Sequence, residues 1–250
     1  MNLKDVLTAQ FKIAAIPVDE YRSVANYIKT AEAFSRNMYR PIIIVDLYRK
    51  KQIYRSGNFS FFVGRSYEES KKNAYQFYLD AIPENELKEI VTVLRKTHEL
   101  FLSFPIEERS NLILSYYFHV ISDGKKRLIC QNITPLALTD KGELWLILCT
   151  FSLSSRKLPG NFIVKRHNDP DYFQYRPDKG VWYHKEGIML TSVEKDILLL
   201  SSQGYTMKEI AVAFGKSQDM IKAYKRVLFS KLRVSSITEA VFTAVNYSLL

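Results

Sequence analysis

The sequence predicts an α+β chain: an antiparallel sheet with helices, a short β-rich extension, and an all-α domain of four helices. Three observations predict it. Between residues 38 and 153, β-branched and aromatic runs alternate with turn residues and helical stripes. Between residues 154 and 187 the runs shorten and only strand patterns remain. From Ile188 onward the apolar residues recur at helical spacing alone. The expected domains are therefore 1–153, 154–187 and 188–250.

The elements follow in order. Tyr21, Val24, Ala25, Ile28, Ala31 and Phe34 lie at i, i+3, i+4 and i+7 spacing, which predicts a helix from about Tyr21 to Met38. "IIIVDL" after Pro41 reads as a buried strand and "QIYR" as a second. "SYEESKKNAYQFYLDA" reads as helical. After Pro83, Leu87, Ile90, Val91, Leu94, His98 and Phe101 form one stripe, with Pro105 closing the helix. "LILSYYFHVI" and "KRLICQNITPLAL" flank "SDGK", and Asp-Gly is a strong hairpin signal. "TDKGE" leads to a fifth strand, "LWLILCTFSL". "FIVKR", "YFQY" and "VWYHKE" supply the extension, expected to bridge to the last domain.

Composition narrows the function. At 250 residues and 47% hydrophobic, the chain can bury a sizeable core. A net charge of +10 favours an anionic partner, nucleic acid or an acidic membrane. Two cysteines, Cys130 and Cys149, make neither a disulfide scaffold nor a zinc site. Their strands are expected to be neighbours, which leaves open a redox pair or two small buried residues. "MNLKDVLTAQFK" lacks a signal-peptide core, and the apolar runs are too short to span a membrane. The expectation is a cytoplasmic protein. No HExxH, GxSxG or P-loop pattern appears, so no enzyme activity is expected.

The strand–strand–helices–three-strand order over Met38 to Leu153 resembles the PAS family of small sensor domains. That resemblance implies a domain that senses a signal or dimerises. The Asn-Cys-Arg context of a flavin photosensor is absent, a haem-binding PAS through His98 or His119 is the minor alternative, and the expectation is no cofactor beyond an unidentified small-molecule ligand. Asp46 ends the first buried strand, as a phosphoacceptor does in receiver domains. A hairpin follows it, however, and a turn-capping Asp fits better.

The last domain carries the densest charge. Lys216, Lys222, Lys225, Arg226, Lys231 and Arg233 stand against Asp219 alone in that segment. Thr191 or Ser192 can cap a first helix and Gly204 ends it. Thr206 with Glu209 forms a capping box for a second. Gly215 turns the chain and Ser217 can cap a third; Ser236 with Glu239 can cap a fourth. Two helices joined by a glycine turn make a helix-turn-helix. On the third helix, Ile221, Leu228 and Leu232 share one face, and Asp219, Lys222, Ala223, Arg226 and Ser230 another. Lys222 and Arg226 at i, i+4 repel by ~0.2–0.5 kcal/mol, a cost that an anionic surface opposite would reverse.

Leu190-Thr191, Glu194, Asp196, Gly204, Lys208-Glu209-Ile210-Ala211, Ser217, Lys231-Leu232 and Thr238-Glu239-Ala240 together resemble the LuxR-type DNA-binding domain of bacterial regulators. The family usually has Thr at position 220 and His at position 224, where this chain has Met220 and Tyr224. The resemblance implies sequence-specific binding to double-stranded DNA, a homodimer, and RNA polymerase as a further partner. It implies base-edge contacts from Lys222, Ala223 and Arg226, and phosphate contacts from Thr206, Ser217, Tyr224, Lys225 and Lys231. The fourth helix often supplies a dimer contact, which falls on Val241, Ala244, Val245 and Tyr247. The alternatives are a constitutive DNA-binding dimer without ligand, a phosphorylation-controlled regulator, and a sigma-factor-like promoter module. Ligand, operator and the sense of regulation are not encoded in any motif.

Overall fold

The computed structural model describes residue 13, residues 15–38, 40–59, 76–122, 124–154 and 156–246, and residue 249. The chain divides into two compact units, Met1–Lys185 and Glu186–Leu250.

In the first unit, α1 (Tyr21–Asn37) precedes β1 (Ile42–Asp46) and β2 (Lys51–Arg55), which form an antiparallel hairpin. A short helix α2 (Gln76–Ala81), a long helix α3 (Glu84–Ser103) and one turn, α4 (Ile106–Arg109), follow. Of the helix expected over 66–81, positions 66–75 lie outside the described residues. Then come β3 (Leu112–Ser122), β4 (Lys125–Leu138) and β5 (Leu144–Leu153). β5 returns to pair with β1, giving the order β2-β1-β5-β4-β3 of a PAS-like sheet.

The strands after β5 depart from expectation. β6 (Gly160–Arg166), β7 (Tyr172–Arg176) and β8 (Val181–Lys185) are not a separate linker. They continue the same sheet from β3, to the order β2-β1-β5-β4-β3-β6-β7-β8. The physical reason lies in the position of β3. Its edge away from β4 is open, and β6 pairs there from Leu112↔Arg166 to Tyr117↔Gly160. Phe162 and Val164 then extend the buried face that Leu114, Tyr116 and Phe118 begin. Phe162 stacks on Tyr116 at 5.2 Å between ring centroids.

Side chains of a strand alternate between faces, and both faces here are covered. Ile43 and Val45 join the larger core beneath α3, with Ile90, Val91, Val93 and Phe101. Ile42 and Ile44 face the other way, packing with Ala31 and Tyr27 of α1. Asp46 is fully buried at the end of β1. Its Oδ1 accepts the backbone N–H of Arg49 at 2.9 Å, and its Oδ2 accepts the hydroxyl of Tyr21 at 2.8 Å. It therefore caps the β1–β2 turn and latches α1 to the sheet. Gly142 turns β4 into β5 at φ +71; a Cβ there would stand 2.9 Å from Ile106 and Arg109. Arg109 uses the closeness, donating to the Gly142 carbonyl at 2.8 Å.

The second unit holds α5 (Ser192–Ser202), α6 (Met207–Ala213), α7 (Gln218–Leu232) and α8 (Ile237–Asn246). Ile197, Leu198, Ile210, Ala211, Ile221, Leu228, Leu232, Ala240 and Ala244 form its core. No helix among the described residues is long and apolar enough to cross a membrane.

Candidate nucleic-acid interface and apolar cavity

Capping decides where each helix of the second unit starts. Thr191 and Glu194 close a reciprocal box on α5, and Thr206 and Glu209 close another on α6. Ser217 accepts the Met220 N–H at the start of α7. Gly215 takes φ +58, a left-handed conformation that costs a glycine little. With it, the Lys216 N–H returns to the Ala211 carbonyl at 2.9 Å, closing the turn between α6 and α7. Helix-turn-helix geometry thus follows from four local signals.

α7 divides its surface sharply. Ile221, Leu228 and Leu232 are buried, while Lys222, Ala223, Arg226 and Ser230 are exposed. Lys222 makes one exposed ion pair, to Asp219 at 3.2 Å. The base-edge candidates Lys222, Ala223 and Arg226 therefore stand together on one open face, clear of the core.

The phosphate candidates separate. Ser217 uses its oxygen as a cap and keeps its proton to donate. Lys225 is half-buried, and desolvation lowers its ammonium below the ordinary lysine value. Tyr224 packs its ring against the domain core. The Thr206 hydroxyl donates to Glu209 Oε2 at 2.7 Å, within the cap of α6. Lys231 has a partner within the domain as well. Its ammonium lies 2.7 Å from Glu194, a carboxylate only 5% exposed, and it serves the fold.

On α8, Ala244 is fully buried in the core and cannot be a dimer contact. Val241 is partly buried against the same core, and Val245 is exposed. Tyr247 lies outside the described residues.

The first unit holds a cavity of about 120 Å³ between α3 and the sheet. Its wall is apolar: Val45, Ile90, Leu94, Phe101, Leu114, Ile133, Ile147 and Val164. The polar side chains at it are Tyr78, Thr97, His98, Tyr116 and Cys149. Tyr116 donates to Gln131 Oε1 at 2.8 Å, and Gln131 Nε2 donates to the Tyr78 oxygen at 2.6 Å. Burial holds the Tyr116 phenol well above its ordinary value, so it stays a neutral donor. Burial, then the positive charge of Arg109, lowers His98, so its imidazole is neutral at neutral pH.

Sequence reasoning assigned His98 to packing and passed over Tyr116 and Gln131. The available signal was a lone Gln within an apolar strand run. The two cysteines do not meet as a redox pair. Cys149 opposes Ile133 on β4, and Cys130 opposes Ser152. That offset of three residues puts them on opposite faces. Burial pushes their thiols up to about 11 for Cys130 and about 12 for Cys149.

Residues 188–244 match the family model of bacterial regulatory proteins of the luxR family. Over 76 residues the chain is 37% identical to YhcZ of Bacillus subtilis (strain 168), an uncharacterized transcriptional regulatory protein. The match covers 30% of this chain and 33% of that relative, so the chain spans about a third of its length. Among solved structures, a phage VqmA–DPO complex is similar at 16% identity and a TM-score of 0.36, over 92% of this chain and 93% of that one. A Vibrio cholerae VqmA dimer determined in the absence of target DNA is similar at 11% identity and a TM-score of 0.33, over 94% and 89%. The helix-turn-helix built by α6 and α7 thus lies within the stretch, residues 188–244, that matches the luxR family model.

Proposed function

We propose that the chain is a sequence-specific DNA-binding transcription regulator, with α7 lying in the major groove. One observation carries this reading. Lys222, Ala223 and Arg226 share an exposed face opposite the buried Ile221, Leu228 and Leu232. The major groove of B-DNA, about 12 Å wide, admits one helix. Lys or Arg pairs with guanine O6 and N7, and Ala touches a thymine methyl. Selection of duplexes from a random pool by the full chain tests it. An enriched half-site with guanine at fixed positions is expected; recovery of an unenriched pool contradicts it.

The PAS-like domain supplies assembly and sensing. A single head contacts few bases, so two heads on adjacent half-sites are needed. The expected state is a homodimer held mainly by residues 1–153; light scattering that shows a monomer binding DNA as a monomer contradicts it. A regulator of this kind also works through RNA polymerase. The cavity supports a small uncharged ligand. At about 120 Å³ the space is smaller than the roughly 150 Å³ apolar cavity that takes benzene, so a single ring is the upper limit of what it holds without widening. Its occupation would shift the population of states in which both heads can engage. The rival is a constitutive dimer with a ligand-free cavity. The burial of Asp46 and its two hydrogen bonds favour ligand control over phosphorylation.

A further inference from the structure

β3 and β4 outrun their neighbours. The last pairing of β3 with β6 is Tyr117↔Gly160, and the first of β4 with β5 is Ile129↔Leu153. Beyond these points His119–Ser122 and Lys125–Leu128 pair in register with each other, as in Val120↔Arg127 and Ile121↔Lys126. The Ser154 N–H donates to the Leu128 carbonyl at 3.1 Å, tying the ribbon to the segment after β5.

The β4 side of this ribbon reads Lys125-Lys126-Arg127. Lys125 and Lys126 are exposed and Arg127 half-buried. Successive strand residues point to opposite faces, so the ribbon is positive on both sides. The segment after β5 adds exposed Arg156 and Lys157. Arg156 stands over the ring of Tyr117, 5.3 Å from its centroid. The carboxylate that reaches this charge among the described residues is Glu86. It is engaged already, accepting the His119 backbone N–H and facing His119 Nδ1, each at 2.7 Å. Lys126 lies farther from it, at 3.9 Å. Among the described residues, Lys126 is the cation of these five that comes within 3.9 Å of a carboxylate, and Asp123 in the turn carries an opposing charge in the hairpin sequence.

We propose that this ribbon, with Arg156 and Lys157 beside it, is a second phosphate-binding surface that grips the backbone of duplex DNA outside the bases read by α7. The inference rests on the DNA-binding reading of the C-terminal domain. Charge complementarity selects the partner: a two-stranded ribbon fits a DNA groove, and Lys and Arg neutralise phosphates without reading sequence. Ile121, Leu153 and Leu158 are the exposed large apolar side chains at this surface, so an acidic membrane is the competing partner that the vesicle arm of the test separates from DNA.

The test is a salt titration of the full chain on a selected duplex with long flanks and on a scrambled duplex of equal length. The triple variant Lys125→Gln, Lys126→Gln, Arg127→Gln is expected to reduce the log–log salt slope by about 2–3. It should weaken both duplexes by the same factor and leave their ratio unchanged. The double variant Arg156→Gln, Lys157→Gln leaves the ribbon intact, guards against misfolding of the triple, and should lower the slope by about 1–2. Slopes equal to wild type in both variants overturn the proposal. So does loss of binding to phosphatidylserine vesicles with DNA binding unchanged. A wild-type protein that prefers neither duplex sinks the reading of α7 instead, while a slope change there still supports the ribbon.

Discussion

Lys231, near the end of α7, places its ammonium 2.7 Å from the carboxylate of Glu194 on α5, thirty-seven positions earlier in the chain. The same carboxylate accepts the Thr191 backbone N–H at 2.8 Å. One acid therefore caps one helix and anchors another, which fixes the angle at which α7 is presented.

Burial pushes the Glu194 carboxyl up, but Lys231 and Thr191 outweigh it, and its pKa falls below the ordinary value. A depressed folded pKa stabilises the domain above the unfolded pKa and is lost as pH falls through the folded one. Lys231→Met should cost about 1–3 kcal/mol by leaving Glu194 short of a partner. Lys231→Met with Glu194→Gln should recover part of that loss. Thermal unfolding at neutral pH and near pH 3 checks both. A variant as stable as wild type, with the same acid sensitivity, contradicts the structural role.

Asp46→Ala should leave the Tyr21 hydroxyl and the Arg49 N–H without their acceptor, at about 1–3 kcal/mol for each group that stays dry. Asp46→Asn keeps an acceptor oxygen and should cost less. Unfolding curves measure this, and incubation with acetyl phosphate should leave the residue unlabelled. Labelling at Asp46 that changes DNA affinity would replace ligand control with phosphorylation.

Benzene or a similar single-ring compound should raise the melting temperature of the wild-type chain. Cys149→Phe places a ring in the cavity and should abolish that response. The same thiol, pushed up to about 12, should resist alkylation near pH 8 until the protein is unfolded. Equal stabilisation of both proteins by the compound would place its site elsewhere.

Local features were legible in the sequence. Thr206-Glu209 announced its cap because a capping box spans four residues, while at the first helix the sequence left Thr191 and Ser192 as equal candidates and the structure uses Thr191. The α7 faces were legible because Ile221, Leu228 and Leu232 recur at helical spacing. Features that join distant segments were not. Nothing near Phe162 states that its strand pairs with β3, since that pairing depends on which edge of a distant strand is left free. Lys231 read as a phosphate contact because its charge is visible and Glu194 is remote. Ala244 read as surface because a small residue carries no sign of which helix will close over it. The cavity draws on α2, α3, β1 and β3–β6 together, so no single stretch encodes it.

Operator discrimination by Arg226→Ala tests the central claim most directly. Arg226 is exposed and lies clear of the core, and Ala is well tolerated in a helix, so the variant should unfold at nearly the wild-type temperature. Its affinity for a selected operator should fall by roughly 1–3 kcal/mol, with preference relaxed at one base position. Its affinity for a scrambled duplex should change much less. Lys225→Gln should instead weaken both duplexes alike and lower the salt slope by about one. Equal losses on operator and scrambled DNA for Arg226→Ala would make Arg226 a phosphate contact, and undiminished operator binding would mean that α7 does not read DNA through this residue.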